Sequence, residues 1–394
     1  MAHSQGTQYM NIGIIGVGKL GLSYALVFEK QGLAVYASSY KQEYVEELQR
    51  RHTDTVEPKV KELLESATNI TFTVDNHEVI RNCDVIYVMV ATPSLPEGDY
   101  DISALQQVVD DFLNHDGSVH GKILIVGSTA NPGNCDQIQQ QLATVGVDVV
   151  YCPTFAAQGS VVHDIQHPIG LLLGTRNNNV ANKVAEIFNY IIPKDTLSIT
   201  VHPTTAEILK LASNCYSTLR ISYFNQVGQM LISSGVGEDI ELANQYLNSV
   251  DRRKGNLKFG FGFGGPCYPR DNRSFNHYAQ KIGSEYAFGT VIDKFNNDHS
   301  KFIGAWLREQ NTQQLPYFFD YISYKPGVTI IEESQQYQVC ENLLVSGAQV
   351  YIQSDKFLLQ STQDKLTQRF GNKVLFVDKQ HLDQLGIPVY HVNL

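Results

Sequence analysis

No two cysteines in this chain stand as a CxxC pair. The six thiols, Cys83, Cys135, Cys152, Cys215, Cys267 and Cys340, are scattered, which excludes a zinc ribbon or a small disulfide framework and predicts reduced thiols with no metal. No apolar run approaches the ~20 residues of a membrane span, so no membrane partner is expected. Positive charge is in short supply. Thirty Lys and Arg face 40 Asp and Glu, and the formal charge of -10 argues against nucleic acid as a partner. The opening MAHSQGTQYM lacks the apolar centre of a signal peptide. It reads as a leader over residues 1–10, and the compartment as cytoplasmic. Solenoid repeats and low-complexity tracts are also missing. What is left is a chain of 394 residues with 43% hydrophobic residues, enough for two or three domains with sizeable cores.

The first motif lies near the start. A β-rich run at residues 11–15 enters Gly16-Val17-Gly18-Lys19-Leu20-Gly21, a helical pattern follows, and residues 34–37 read as a second strand. Strand, G-x-G-x-x-G, helix, strand is the context of a dinucleotide fingerprint. Gly16 serves the tight turn, Gly18 the approach of a pyrophosphate, and Gly21 the packing of helix on strand. The acid that usually ends the second strand of a NAD site falls on Ser39, with Lys41 two residues on. Serine and lysine can accept a 2′-phosphate, so the residues themselves leave NAD and NADP open.

The second motif is residues 260–271, GFGFGGPCYPRD. Four glycines remove side chains where a backbone must approach something closely. Cys267 follows between prolines, then Arg270 and Asp271. A glycine cradle leading to a fixed thiol suits a covalent intermediate on a phosphorylated substrate. A glycine-rich loop with one buried cysteine is the alternative.

This stretch resembles the catalytic loop of the UDP-glucose/GDP-mannose dehydrogenase family, GxGFGG-x-C-(F/L)-P-(K/R)-D. The resemblance continues over most of the chain. Glu57-Pro58 stands near the family's EPGL. Thr92-Pro93 matches a turn over the nicotinamide. Ser128-Thr129 matches the STVPxG turn, and Thr129 the threonine that helps place a catalytic water. Glu207, Lys210 and Asn214 follow AExxKxxxN on one long helix expected over residues 204–233, capped by Thr204 or Thr205. Lys210 and Asn214, four apart, share a helix face and can serve one developing oxyanion. Residues 251–255, DRRKG, resemble D-x-RIG, which implies that Arg253 reaches a neighbouring subunit's sugar site and that the enzyme is a homodimer. Phe259, Gly260 and Gly264 stand where the family contacts the nucleotide. Tyr324 and Lys325 open a segment similar to FKPGTDDxRES.

The departures are as specific as the matches. In place of NPEFLxEG the chain has Cys152-Pro153-Thr154-Phe155-Ala156-Ala157-Gln158-Gly159, so both acids are lost, to Thr154 and Gln158. A threonine cannot act as general base at neutral pH. Glu332 stands where the family has an arginine that contacts the cofactor.

By resemblance the fold is α/β: an N-terminal Rossmann-type doubly wound sheet (11–200), a central helical dimerisation domain with the cysteine loop (201–300), and a smaller α/β nucleotide-sugar-binding domain (311–394). The implied reaction is four-electron oxidation of C6 of a nucleotide sugar, UDP-glucose above all, through a thiohemiacetal and thioester on Cys267. Asp271 would orient groups or accept protons. Thr154, Phe155, Gln158, Lys210 and Asn214 would contact substrate, and NAD is the implied cofactor. Two other readings compete: a nucleotide-sugar-binding paralogue with impaired turnover, and a two-electron dehydrogenase of the β-hydroxyacid type.

Overall fold

Short apolar strands alternate with helices through the first two hundred residues, the pattern that builds a parallel sheet covered on both faces. The computed structural model describes residues 11–250 and 257–394. The chain divides into two units, one ending at Lys210 and the other beginning at Leu211.

The first unit holds an eight-stranded sheet: β1 (Asn11–Ile15), β2 (Ala34–Ser38), β3 (Ile70–Thr73), β4 (Val85–Val88), β5 (Ile123–Val126), β6 (Asp148–Tyr151), β7 (Leu171–Gly174) and β8 (Ser198–Val201). Their order is β3-β2-β1-β4-β5-β6-β7-β8, and only the β6–β7 pair is antiparallel among them. The first six strands thus run 3-2-1-4-5-6, the doubly wound order with its switch point between β1 and β4. Alternation along each strand makes two cores. Val85 and Tyr87 of β4 join one face, Ile86 and Val88 the other. Each such fully buried side chain stabilises the sheet by about 1.5–3 kcal/mol. The helix expected to bury Leu105, Val108, Val109 and Phe112 forms over Ser103–Leu113 and buries those four.

The long helix runs Pro203–Ser233, 31 residues. The cap expected at Thr204 or Thr205 is not used. The helix starts one residue earlier, on a proline whose fixed φ suits the first turn. His202 Nδ1 accepts the Thr204 N–H at 3.3 Å, and the Thr204 hydroxyl donates to Asp136 at 3.0 Å instead.

The second unit holds a four-stranded parallel sheet in the order β11-β10-β9-β12, with β9 (Tyr317–Phe319), β10 (Val350–Gln353), β11 (Val374–Val377) and β12 (Tyr390–His391). The strand expected over 316–323 closes after three residues. The chain then turns so that Ile322 O accepts the Ser334 hydroxyl at 2.8 Å and Tyr324 N–H reaches Ile330 O at 3.1 Å. No helix among the described residues is long and apolar enough to cross a membrane.

Candidate active site

The glycine turn is set by backbone rather than side chains. Ser38 O, the last carbonyl of β2, accepts from Gly16 N at 3.0 Å and Val17 N at 2.9 Å. Gly16 has φ +97° and lies against the main chain of Met89, where a Cβ would meet the carbonyl carbon at 2.7 Å. A Cβ on Gly21 would stand 2.3 Å from Gly16 O, so the helix Lys19–Lys30 can start there only with glycine. Over Gly18 a Cβ would meet nothing within 4 Å, an open approach beside exposed Lys19 that fits a dinucleotide pyrophosphate. Leu20 packs inward against the first core, and Val17 is buried. Ser128 Oγ donates to Val90 O at 2.7 Å, which ties the turn after β5 to the one that carries buried Thr92 and exposed Pro93. Thr129, next in line, is half-buried.

After β6 the chain passes residues 152–159, and this loop is held from far away in sequence. Tyr87 Oη donates to Cys152 O at 2.8 Å. Tyr24 Oη lies 3.1 Å from Thr154 Oγ1, which also accepts Ala156 N–H at 3.2 Å. Burial pushes the Tyr24 phenol up to about 12, so it serves as a donor and leaves the Thr154 proton free to point elsewhere. Glu57 accepts from Gly159 N and Val161 N, both at 2.8 Å, and so fixes the far end of the loop that contains Gln158. Lys210 Nζ donates to Thr154 O at 3.0 Å and lies 4.7 Å from the centre of the half-exposed Phe155 ring.

One turn before the lysine, Glu207 anchors the same helix to the loop after β5. Glu207 is fully buried and accepts from Gly133 N at 2.5 Å and Cys135 N at 2.8 Å, the start of the helix Asn134–Leu142. Burial raises its carboxyl to about 7, against the lowering effect of those two N–H groups. Its own helix has no acid in the first turn, and Glu207 caps a different one, which the local motif could not reveal.

In the second unit Asn214 donates through Nδ2 to Asp271, in the first turn of the helix Tyr268–Lys281. Cys267 precedes that helix and is exposed, with Pro269 at the second helical position. Exposure removes the alternative of a buried core cysteine. The positive end of the helix dipole favours negative charge at the sulfur. Behind it, Thr218 Oγ1 donates to Asn272 Oδ1 at 2.8 Å, and Asn272 Nδ2 to Asp293 at 2.9 Å. Burial raises the Asp293 carboxyl.

The four glycines of the loop answer mainly to its supports. A Cβ on Gly262 would lie 2.0 Å from Asn296 Oδ1, one on Gly264 2.3 Å from Glu333 O, and one on Gly265 2.7 Å from the Tyr324 ring. The cradle expected for a ligand is thus closed at these three positions by protein atoms. Asparagines do the holding. Asn296 exchanges both bonds with the main chain of Phe263, at 2.9 and 2.8 Å. Asn225 accepts Gly260 N–H at 3.0 Å, and Asn244 accepts Phe259 N–H at 3.3 Å. Asn248 bonds both ways with Leu257. His299 Nε2 lies 2.7 Å from Gly260 O. None of these supporting roles was expected from the sequence. The i, i+4 asparagines of the helix Ile240–Val250 were the available signal.

One expectation is corrected. Phe259, expected at the nucleotide, is buried against Trp306 and His299 and fills the space over Gly228. Its neighbour Phe261 instead lines a cavity of about 330 Å³ with Lys258, Asp320, Tyr321 and Asn393, beyond the ends of β9 and β12. Glu332 contributes its carbonyl to Gly265 N at 2.9 Å, and its side chain is exposed, while Glu333 pairs with Arg273 at 2.6 Å. Lys325 Nζ stands 5.8 Å from the Tyr324 ring centre. Arg253 lies outside the described residues.

A family model described as the UDP-glucose/GDP-mannose dehydrogenase family, NAD binding domain, matches residues 10–192, and the model of that family's central domain matches residues 204–298. The UDP-glucose 6-dehydrogenase YwqF of Bacillus subtilis is 25% identical over 356 residues, which cover 86% of this chain and 78% of that one. Among solved structures, a UDP-glucose dehydrogenase from Pyrobaculum islandicum superposes with a TM-score of 0.80 at 23% identity, covering 98% of this chain and 90% of that one. A UDP-D-ManNAc dehydrogenase from Pyrococcus horikoshii gives 0.74 at 19%, covering 87% and 83%. The two structures share the fold.

Proposed function

The chain belongs to the UDP-glucose/GDP-mannose dehydrogenase family, and from that premise we propose that it oxidises C6 of a nucleotide-linked hexose from alcohol to carboxylate, with UDP-glucose the first substrate to test. The observation that carries the reading is on one helix. It presents Lys210 and, one turn on, Asn214, which is tied to Asp271 in the turn that exposed Cys267 opens.

The nicotinamide cofactor supplies the oxidising capacity, taking two electrons in each of two steps. This chain's residues do the rest. Lys210 keeps donors beyond the one bound to Thr154 O, and Asn214 keeps a second amide hydrogen, so both can stabilise the oxygen that loses its proton. Asp271 fixes the Asn214 amide and prevents it from flipping. Once the aldehyde exists, the Cys267 sulfur adds to its carbon and the oxygen takes up a proton, giving a thiohemiacetal. Loss of a hydride from the carbon and a proton from the oxygen converts that to a thioester. Water, placed with help from Thr129, breaks the C–S bond and releases the carboxylate and the thiol. Thr154, Phe155, Gln158, Tyr324 and Lys325 are proposed to contact the nucleotide sugar, and the cavity beside Phe261 supports a nucleotide in the second unit. Gly260, Gly264 and Phe259 are proposed to shape that site through their backbone.

The chain is proposed to act as a homodimer. On the long helix Tyr216, Leu219, Tyr223 and Met230 form an exposed apolar stripe at helical spacing, which suits a second copy.

A second reading, a nucleotide-sugar-binding paralogue with slow turnover, is favoured by Thr154. Its hydroxyl accepts two hydrogen bonds and has no basicity to activate water. The test is intact-protein mass spectrometry after mixing with UDP-glucose and oxidised cofactor. A sugar-nucleotide adduct that vanishes in Cys267→Ala is expected. Full four-electron turnover by Cys267→Ala would sink the covalent scheme.

A further inference from the structure

We infer that the first unit takes a 2′-phosphorylated dinucleotide, NADP, in preference to NAD. The inference rests on the reading of the glycine turn as a dinucleotide site and departs from the family's usual cofactor in one feature, the end of β2. In a NAD site a carboxylate there accepts from the ribose hydroxyls, and the same charge repels a 2′-phosphate.

The geometry locates that position. Ser38 O holds Gly16 N and Val17 N, so the residue after it stands beside the first glycine of the turn. That residue is Ser39. Its N–H is fixed by Thr73 O at 3.1 Å, and the residue is half-exposed, which presents a hydroxyl where the acid would be. Ser38 cannot take this part, because it is buried and its hydroxyl donates to Asn76 Oδ1 at 2.7 Å. Asn76 in turn donates to Asp111 at 2.7 Å, so that acid is already paired.

The next two residues extend the same surface. Tyr40 is 87% exposed, a large ring left in water directly after a strand end. Lys41 is exposed, with its ammonium 5.6 Å from that ring's centre and no ion pair among the described residues. The acids nearby are committed or set back. Asp75, just past β3, accepts His77 N–H at 2.8 Å, and Glu43 lies in the helix Gln42–Gln49. A hydroxyl donor, a cation and an exposed aromatic face in three consecutive residues match a phosphate monoester beside an adenine ring. A phosphate there carries close to two negative charges and accepts charge-assisted hydrogen bonds. The exposed ring offers the base a stacking face.

Calorimetric titration of the intact protein with NADP and with NAD separates the outcomes, because it reads binding and not turnover. NADP is expected to bind at least tenfold more tightly. Lys41→Ala should reduce that preference about tenfold, and Ser39→Asp should reverse it. Tighter binding of NAD to the unaltered protein overturns the inference while leaving the glycine turn as a dinucleotide site. Failure of both to bind overturns the dinucleotide reading and the inference together.

Discussion

The loop at residues 152–159 and the loop at residues 260–267 are both held in place, yet by different groups and with different losses. The first is pinned by Tyr24, Tyr87 and Glu57, each far away in sequence, and its two family acids are gone. The second is pinned by asparagines and His299, and its thiol and the following aspartate remain. The difference teaches that scaffolding and chemistry can part. A loop keeps its shape through main-chain bonds that do not depend on the reacting side chain. On this account the part of the site that forms the covalent bond is intact, and the part that breaks it is weakened.

The largest effect should come from removing the thiol. Cys267→Ala should lower formation of the carboxylate by roughly 10³-fold or more, measured as product acid, the scale on which a nucleophile or acid–base group is lost. Next is Lys210→Ala, expected to cost about 10²–10³ in kcat, as loss of an oxyanion donor does. A rise in KM with unchanged kcat would instead make Lys210 a ground-state contact.

Sharpening the contrast, Thr154→Glu should return a base to the first loop. The adduct on Cys267 should then become short-lived, with turnover up to about 10²-fold faster and rising with pH as the new carboxyl ionises. An unchanged adduct lifetime would mean that water is activated from somewhere else. On the second loop, Asn296→Ala unpairs both main-chain groups of Phe263. A loss of about 2–4 kcal/mol in denaturant unfolding is expected, since each buried group left unpaired costs about 1–3 kcal/mol.

The smallest effect is a slope. Glu207 has its carboxyl raised to about 7 from 4.5. A raised acid favours folding below its unfolded value, and that contribution is lost as pH climbs through the folded one. Stability from this group therefore falls between about pH 4.5 and 7. Glu207→Gln should flatten the dependence of Tm on pH across that window, by on the order of 3 kcal/mol at most. An unchanged slope would place the titration elsewhere.

Much of the fold was legible because it is written locally. The turn at Gly16 needs glycines at fixed offsets, and Leu105, Val108, Val109 and Phe112 repeat with the period of one helix face. That Lys210 and Asn214 lie one turn apart on a single helix was legible for the same reason. The supports were not, because they join residues remote in the chain. Tyr24 meets Thr154 across 130 positions, and Glu57 meets Val161 across 104. Phe259 was misplaced because a phenylalanine beside glycines reads alike whether it faces a ligand or fills the gap over Gly228. The role of Glu207 was not legible because the motif that names it is local, while its partners are the N–H groups of Gly133 and Cys135.

The central claim is that one active site carries a hexose through two oxidations and stops only slowly at the thioester. Its most direct test is the amount of reduced cofactor formed from a limiting quantity of UDP-glucose, with NAD and NADP run in parallel. The account predicts about two reduced cofactors per sugar at completion, reached through a fast first phase and a slower second. One reduced cofactor per sugar, with free aldehyde and no adduct on Cys267, would contradict it.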